Sequence, residues 1–342
     1  MARKPKDLYN HRISISGLNL LARSPRAYKK YIEDPRDEES EALRKGSALD
    51  CMLTEPDKFD ERFAVADNTP PGGMMGEFVR VFLDFRTRSN DDSEAAFDAA
   101  LKTAYKISGF KIKFESVIKK FEADDIQEYV KFVIDSKGKT ILSPNEWVSA
   151  LGMKEMLLNN EFTKEYLVHL PSNPMIDEHN QLVIEWTYKG IQCKSILDKV
   201  LVDHDEKRII PMDIKTTSKG TGNFIQSFIR YGYFRQCSFY VHAIRYWLYN
   251  ISEIDNPNDW VIGPFKFIVV DSNLNDFPLI YTCSNKDLEV GREGGRISNG
   301  LRPVKGWQNL VDDLVFHQTL RDWRYTREAL ESKGDLIMDI FE

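Results

Sequence analysis

The spacing of hydrophobic residues changes once along the chain, near residue 181. Upstream of this point apolar positions recur at helical spacing, which predicts helices within residues 16–31, 42–56 and 76–165. Ser16 is the expected N-cap of the first helix, and Ser24-Pro25 either interrupts that helix or separates two short ones. Residues 76–165 are mostly polar and carry no recognisable chemistry, so we expect a helical accessory region there.

Downstream of Gln181, apolar and polar residues alternate, as in a strand with one buried face. Polar turns at 189–190 and 203–207 divide this region into strands 181–188, 191–202 and 208–216, so we predict a three-stranded antiparallel meander. The remaining predicted elements are a helix over 224–250, strands over 265–270 and 278–283, a flexible Gly/Arg-rich loop over 291–300 and a helix over 310–331.

Composition restricts the class of protein. A length of 342 residues allows about two domains at ~150 residues each. The 42% hydrophobic content can form a real core, and this excludes global disorder. No apolar run reaches the roughly 20 residues that a membrane-spanning helix needs. Residues 1–12 lack the apolar segment of a secretory signal, so the expected location is the cytoplasm, without a membrane partner.

Cysteine, histidine and charge patterns narrow the chemistry further. The four cysteines form no CxxC pair and the histidines share no ligand spacing, which argues against disulfide frameworks, zinc sites and Ser–His–Asp triads. Residues 1–30 carry eight basic side chains and one acidic one, although the whole chain has a net charge of −6. This segment is either an anion-binding arm or a solvated basic tail.

Acidic residues on the predicted meander are the strongest candidates for a functional site. Asp213 and Lys215 are two residues apart on an apolar strand, so both side chains point to one face. Asp198 lies on the preceding strand and Glu185 on the strand before it. Converging carboxylates suit Mg²⁺ or Mn²⁺, and a neighbouring lysine can orient or deprotonate a water molecule. The alternative is a buried Asp–Lys ion pair that only joins two strands.

Two polar residues on the following helix add to this site. Gln236 and Tyr240 are four residues apart and therefore share a helix face. Next to a metal, their side chains can bind a phosphate oxygen or a base. The alternative is a buried aromatic face with one polar anchor.

These residues together resemble a known nuclease family. The order Glu185, Asp198, Asp213-Ile-Lys215-Thr-Thr, Tyr233-x-x-Gln236-x-x-x-Tyr240 is similar to the PD-(D/E)xK core of RecB-type exonucleases, and closer to the phage-type exodeoxyribonuclease VIII (RecE-like) group. Upstream matches are Ile15-Ser16-x-Leu18, Ser24-Pro25-x-x-Tyr28, Gly46-Ser47-Ala48-Leu49-Asp50 and Phe59 with Phe63 before Val65. The resemblance covers about residues 13–65 and 181–243. Asp50 stands where the family usually has a histidine, and Leu197 where it usually has a proline before the first aspartate.

The resemblance implies an α/β (α+β) fold. We expect a restriction-endonuclease-like core with a central mixed sheet flanked by helices, a helical N-terminal region and a helical insertion. The corresponding segments are 1–66 for the N-terminal helical part with Gly46–Asp50, 67–170 for the insertion, 171–290 for the nuclease core and 291–342 for a flexible loop and C-terminal helix.

The implied activity is metal-dependent hydrolysis of one strand of linear duplex DNA from an end, giving 5′-phosphate products and a single-stranded tail. Implied catalytic residues are Asp198, Asp213, Lys215 and Glu185; implied metal ligands are Asp198, Asp213, Glu185 and Asp50; implied DNA-binding residues are Gln236, Tyr240, Arg26 and Lys29, with phosphate contacts from Arg292 and Arg296. Mg²⁺ or Mn²⁺ is the expected cofactor. An iron–sulfur cluster is not expected, because the cysteine spacing does not match that of cluster-bearing relatives.

The implied partners are duplex DNA ends, a single-strand annealing protein and further copies of the chain in a ring. Two other functions remain open. The same core occurs in endonucleases and in nucleases attached to a separate helicase chain. A protein of another class, a catalytically inactive DNA-binding or assembly protein, would retain the fold, although the presence of Asp198, Asp213 and Lys215 argues against it.

Overall fold

The computed structural model describes residues 5–34, 40–67, 70–88, 91, 93–168, 175–297 and 303–336, with backbone alone for Thr87 and Arg88. Arg3 and Lys4 of the predicted basic arm and residues 298–300 of the predicted Gly/Arg loop lie outside this part of the chain.

Fifteen α-helices occur in the described residues. They are α1 (Ile15–Arg23), α2 (Pro25–Glu33), α3 (Glu41–Thr54), α4 (Phe59–Arg62), α5 (Gly73–Arg88), α6 (Glu94–Ser108), α7 (Phe114–Phe121), α8 (Asp124–Asp135), α9 (Pro144–Asn159), α10 (Lys164–Leu167), α11 (Phe224–Arg230), α12 (Tyr233–Asn250), α13 (Asn285–Glu293), α14 (Trp307–Leu320) and α15 (Arg327–Glu331).

Ten strands occur in the same part of the chain. They are β1 (Phe63–Val65), β2 (Thr140–Leu142), β3 (Ile176–Tyr188), β4 (Ile191–Asp203), β5 (Arg208–Thr217), β6 (Val261–Ile262), β7 (Lys266–Asp271), β8 (Leu279–Thr282), β9 (Gly295–Arg296) and β10 (Pro303–Val304).

The chain forms two compact units. The first contains Leu43–Cys51 and Pro56–Leu151, and the second contains Ala2–Ala42, Met52–Glu55 and Gly152–Glu342. This grouping differs from the four predicted segments, because most of α3 and all of residues 56–66 group with the predicted insertion. The first unit is helical around its own core, with aromatic contacts among Phe78, Phe82 and Phe121. Its short strands β1 and β2 pair in parallel.

The second unit contains a six-stranded mixed sheet of order β3-β4-β5-β7-β8, with β6 also paired to β5. The strands β3, β4 and β5 form the predicted antiparallel meander. Strand β7 lies parallel to β5, and β8 returns antiparallel to β7. The predicted fold class, a mixed α+β protein with a central mixed sheet flanked by helices, is confirmed.

The helix predicted over 224–250 is two helices, α11 and α12. The break falls at Gly232, whose φ of 71° lies in the left-handed region that favours glycine. A Cβ there would come within 2.6 Å of an Arg235 side-chain nitrogen and 2.7 Å of the Asn19 side-chain oxygen. Both helices belong to the connection between β5 and β7, and α12 packs its buried face on the sheet core.

Other helix boundaries also differ from the prediction. Ser14, rather than Ser16, caps α1 by accepting a hydrogen bond from the Gly17 N–H, because the chain is still extended at Ile13, which bridges to Cys193. Ser24 caps α2, so the two-helix alternative is correct. The predicted helix over 310–331 is divided between α14 and α15, since Arg321 adopts a left-handed φ of 55°. None of the helices in the described ranges combines the length and apolar content that crossing a bilayer requires.

Candidate active site

Two candidate aspartates lie where the pairing of β4 and β5 ends. The last regular pair toward this end is Lys199 with Met212, so continuation of the register would place Asp198 opposite Asp213. The ladder does not continue in this way. Instead, Asp198 Oδ2 accepts a 2.9 Å hydrogen bond from the Ile214 N–H. At this point the Ile214 N–H thus donates to a side-chain oxygen and not to a main-chain carbonyl of β4. This bond fixes the carboxylate of Asp198 beside the strand that carries Asp213.

The side chain of Asp213 is almost fully buried, with 1% of the residue exposed. Its Oδ1 accepts a 2.6 Å hydrogen bond from Gln236 Nε2. Its Oδ2 forms an ion pair with the Lys215 ammonium, which also donates a hydrogen bond to it. A buried carboxylate is costly unless it is paired and hydrogen-bonded. Both oxygens of Asp213 therefore have a donor, and one of them faces a positive charge.

Electrostatics couple Asp213 and Lys215. Burial raises the pKa of Asp213, and the nearby Lys215 and Gln236 oppose this rise. Burial also lowers the pKa of Lys215, but the interactions with Asp213, Tyr233 and Asp198 outweigh it and leave that pKa above its ordinary value. Lys215 is consequently an ammonium ion, able to donate hydrogen bonds to a water molecule or a phosphate oxygen.

Two tyrosines of α12 complete the surroundings of this pair. The Lys215 ammonium lies 5.0 Å from the centre of the Tyr233 ring, a cation–π contact. Tyr240 is buried, and burial together with the negative charges of Asp213 and Asp198 raises the pKa of its hydroxyl. Because Tyr233, Gln236 and Tyr240 have i, i+3 and i+7 spacing, they form one stripe of α12 facing the carboxylates.

The structure does not bring Glu185 to this cluster. Glu185 pairs with Lys194 on β4, four pairs along the ladder from Asp198, which is about 13 Å at ~3.3 Å per residue. Its exposed carboxylate forms a 2.9 Å ion pair with Arg12. Asp50 lies on α3 in the first unit and is half-buried. Among the residues with described side chains, no group of three or more His, Cys, Asp or Glu is arranged to hold a metal ion.

The predicted basic contacts occupy varied positions. Arg26 is exposed on α2, and Lys29 on the same helix is 3.5 Å from Glu33 in an ion pair. Arg292 lies in α13, rather than in a flexible loop, and forms an ion pair with the adjacent Glu293. Arg296 belongs to the small β9–β10 pair.

The oxygen donors at the end of the β4–β5 pairing fit one class of metal ion. Mg²⁺ and Mn²⁺ prefer oxygen ligands, and Mg²⁺ is usually held by one or two carboxylates, with water and substrate phosphate completing its shell. Asp198 and Asp213 supply two carboxylates on neighbouring strands, and that of Asp213 is buried. Metals that prefer sulfur ligands do not match two carboxylates, and neither do metals whose whole coordination shell comes from protein side chains.

Sequence reasoning assigned no individual role to Tyr233 and treated Gln236 as a DNA contact. The structure places Tyr233 against Lys215 and joins Gln236 to the buried carboxylate of Asp213. The shared helix face of Tyr233, Gln236 and Tyr240 was the available signal. This signal did not show that the shared face packs against the sheet.

The chain was compared with family models, with curated proteins and with solved structures. No family model and no curated protein matches the chain. A crystal structure from Eubacterium rectale, named "Putative exonuclease", is similar over 97% of this chain and 91% of that chain, with 11% identity and a TM-score of 0.46.

Proposed function

We propose that this protein is a metal-dependent nuclease that hydrolyses phosphodiester bonds in DNA. The observation that carries the proposal is the cluster of Asp213, Lys215 and Asp198, in which two carboxylates of neighbouring strands act on one buried lysine ammonium. A purely structural ion pair needs one carboxylate, and this cluster holds two. Asp198 on the adjacent strand provides the second acidic group that phosphodiester chemistry with a divalent ion requires.

Each residue of the cluster has a distinct role in this proposal. Asp198 and Asp213 would hold Mg²⁺ or Mn²⁺; a bound divalent ion supplies positive charge to the scissile phosphate and to the leaving 3′-oxygen. Lys215 donates hydrogen bonds to the attacking water and to a phosphate oxygen. Gln236 holds Asp213 in one orientation, and the hydroxyl of Tyr240 lies beside the two carboxylates, where it can orient the strand.

The finer features come from the resemblance to exodeoxyribonuclease VIII. We infer digestion of one strand of a linear duplex from its end, 5′-phosphate products and a single-stranded tail for recombination in a phage or its bacterial host. The inferred setting is the cytoplasm, with a single-strand annealing protein as partner and a ring of identical chains around the duplex. Arg26 and Lys29 are proposed as phosphate contacts, whereas Glu185 lies too far along the β3–β4 ladder from Asp198 to share a metal ion with it. All four cysteines are thiols without disulfide bonds, in keeping with a reducing compartment.

The test compares linear duplex DNA with covalently closed circles, each in Mg²⁺ and in EDTA. We expect wild-type protein to degrade only the linear form, only with Mg²⁺. Lys215→Ala should abolish cleavage and Asp213→Asn should do the same. The matched control is Lys207→Ala, because Lys207 follows Asp205 at the same spacing but lies in an exposed turn, paired with Asp259.

Each alternative function has its own outcome. Cutting of closed circles would replace the exonuclease by an endonuclease of the same fold. DNA binding without cleavage of either form would favour the inactive binding protein. Full activity of Lys215→Ala would remove the proposed site.

A further inference from the structure

The turn between α11 and α12 carries an exposed aromatic residue. Tyr231 is 52% exposed, although large aromatic side chains gain most from burial. The Tyr231 backbone is held by α1, since Asn19 Nδ2 donates a 3.1 Å hydrogen bond to the Tyr231 carbonyl. Tyr231 is therefore an accessible ring on a backbone that is held in place.

This ring lies close to the candidate active site. The ring centres of Tyr231 and Tyr233 are 5.8 Å apart, and the Tyr233 ring also contacts the Lys215 ammonium at 5.0 Å. One aromatic side chain thus separates Tyr231 from the residue that pairs with Asp213. A polymer bound at Asp213 would pass the turn within the length of one or two of its units.

Two arginines lie at the same turn, Arg230 against the Tyr231 ring and Arg235 on Asn19, the residue that also binds the Tyr231 carbonyl. The Arg230 guanidinium lies 5.6 Å from the centre of Tyr231. Arg235 donates to the Lys305 carbonyl at 2.6 Å and, through Nη1, to Asn19 Oδ1 at 3.0 Å. Both acceptors of Arg235 are neutral oxygens, and neither arginine forms an ion pair with any of the described residues.

An arginine that is partly buried without a counter-charge is energetically unfavourable. Burial lowers the pKa of Arg235 to about 10, with no compensating acid nearby. Its Nη2 has no hydrogen bond to the described residues. The guanidinium of Arg235 is therefore held in place by two hydrogen bonds, while its positive charge and its Nη2 donor remain for an anion.

An accessible ring at a turn that carries two arginines without acidic partners matches the way single-stranded nucleic acid is bound. Bases stack on aromatic side chains, and phosphates contact basic ones. We propose that Arg230, Tyr231 and Arg235 bind the unpaired DNA strand next to the scissile phosphate. A base stacks on Tyr231, and neighbouring phosphates contact the two arginines. This inference rests on the proposed nuclease function and specifies how its substrate is held.

The test measures binding of a fluorescent oligothymidylate of about 12 nucleotides to the full chain in EDTA, so that cleavage plays no part. Tyr231→Ala should weaken binding by about 5- to 100-fold, as expected for loss of one stacked base. Tyr231→Phe should retain binding, because the ring remains. Tyr249→Ala is the matched control, since Tyr249 is 50% exposed near the other end of α12.

The arginines are tested through salt dependence. Arg230→Gln and Arg235→Gln should each reduce the slope of log Kd against log salt by about 0.7, the value for one lost phosphate contact to a single strand. An unchanged slope together with a lower melting temperature for Arg235→Gln would show that it only holds the turn, and would overturn its phosphate role. Equal affinities of wild type, Tyr231→Ala and Tyr249→Ala would overturn the stacking role.

Failure of the two proposals can be told apart. Wild-type protein that cuts linear DNA normally, with Tyr231→Ala unaffected in binding and cleavage, overturns this inference alone. Wild-type protein that binds the oligonucleotide through Tyr231 but never cuts supports the inference and overturns the nuclease. Absence of both binding and cleavage overturns both.

Discussion

Gln236 Nε2 donates a 2.6 Å hydrogen bond to Oδ1 of Asp213, and both residues are buried. The bond joins the first turns of α12 to the middle of the sheet. It leaves the other oxygen of Asp213 directed toward Lys215. In the proposed reaction, Gln236 is thus a positioning residue that acts through Asp213.

We predict that Gln236→Leu lowers the rate of DNA cleavage about 10- to 100-fold, the usual cost of losing a group that orients a metal ligand. Because the DNA-binding surface is unchanged, KM should vary little while kcat falls. The Mg²⁺ concentration for half-maximal rate should rise. Steady-state kinetics with Mg²⁺ titration measure all three quantities.

Gln226→Leu is the control for this substitution, because Gln226 is exposed on α11. It should behave as wild type. A Gln236→Leu protein with unchanged kcat, or with a higher KM alone, would instead mark Gln236 as a DNA contact, as its sequence pattern first indicated.

Metal removal gives a second prediction, independent of activity. A ligand that binds only the folded state raises stability by RT ln(1 + [L]/Kd), about 2.7 kcal/mol at a concentration 100 times Kd. Mg²⁺ or Mn²⁺ should therefore raise the melting temperature of the wild type and EDTA should reverse the shift. In Asp213→Asn the shift should disappear. A shift that survives this substitution would place the ion elsewhere.

Glu185 lies apart from the cluster of Asp198, Asp213 and Lys215. Its carboxylate is exposed and paired with Arg12, far along the β3–β4 ladder from Asp198. Exposed ion pairs contribute about 0–1 kcal/mol, so Glu185→Gln should leave both cleavage and melting temperature nearly unchanged. Loss of cleavage comparable with that of Asp198→Asn would restore Glu185 as a metal ligand.

A pH-dependent stability term is expected in the first unit, where Glu146 is buried. Its Oε1 accepts from Arg44 Nε at 2.8 Å, and its Oε2 accepts from the Ser143 N–H at 2.7 Å. Burial alone would raise the pKa of Glu146, but these donors outweigh it and hold the pKa below the ordinary 4.5. Its stabilising contribution is thus complete above pH 4.5 and is lost as pH falls through the lower, folded-state pKa.

Glu146→Gln should accordingly destabilise the first unit by about 1.5–3 kcal/mol at neutral pH, the range for hydrogen bonds to charged groups. The difference from wild type should shrink as the pH falls below 4.5. Hydrogen–deuterium exchange of α9 segments reports this locally. Glu128→Gln, at an exposed position of α8, should show no such difference, and a pH-independent effect of Glu146→Gln would contradict the assignment.

Local patterns were sufficient for the elements that surround the site. Alternation from residue 182 predicted the second part of β3, which begins earlier, at Ile176, and the turn at 189–190 predicted its pairing with β4. That turn also sets the register, which places Glu185 opposite Lys194. Counting pairs outward from the turn is therefore enough to separate Glu185 from Asp198 on sequence grounds alone.

Other features depend on tertiary structure and left no local signal. No glycine or proline marks the break after α14, where Arg321 takes a left-handed conformation. The bond from Gln236 to Asp213 requires α12 to be packed on the sheet. The sequence shows which residues share a face of a helix or strand. Only the folded structure shows which element each face packs against.

The parallel pairing of β5 with β7 has a consequence for biosynthesis. Asp213 lies beside Phe267, yet all of α11 and α12 intervenes in the chain. Contacts so distant in sequence form late, because the long loop must close first. A nascent chain that ends before Lys266 holds both aspartates but lacks the strand that braces them. In the proposed nuclease, the ability to cleave is therefore acquired late in translation, after Asp198, Asp213 and Lys215 have been made.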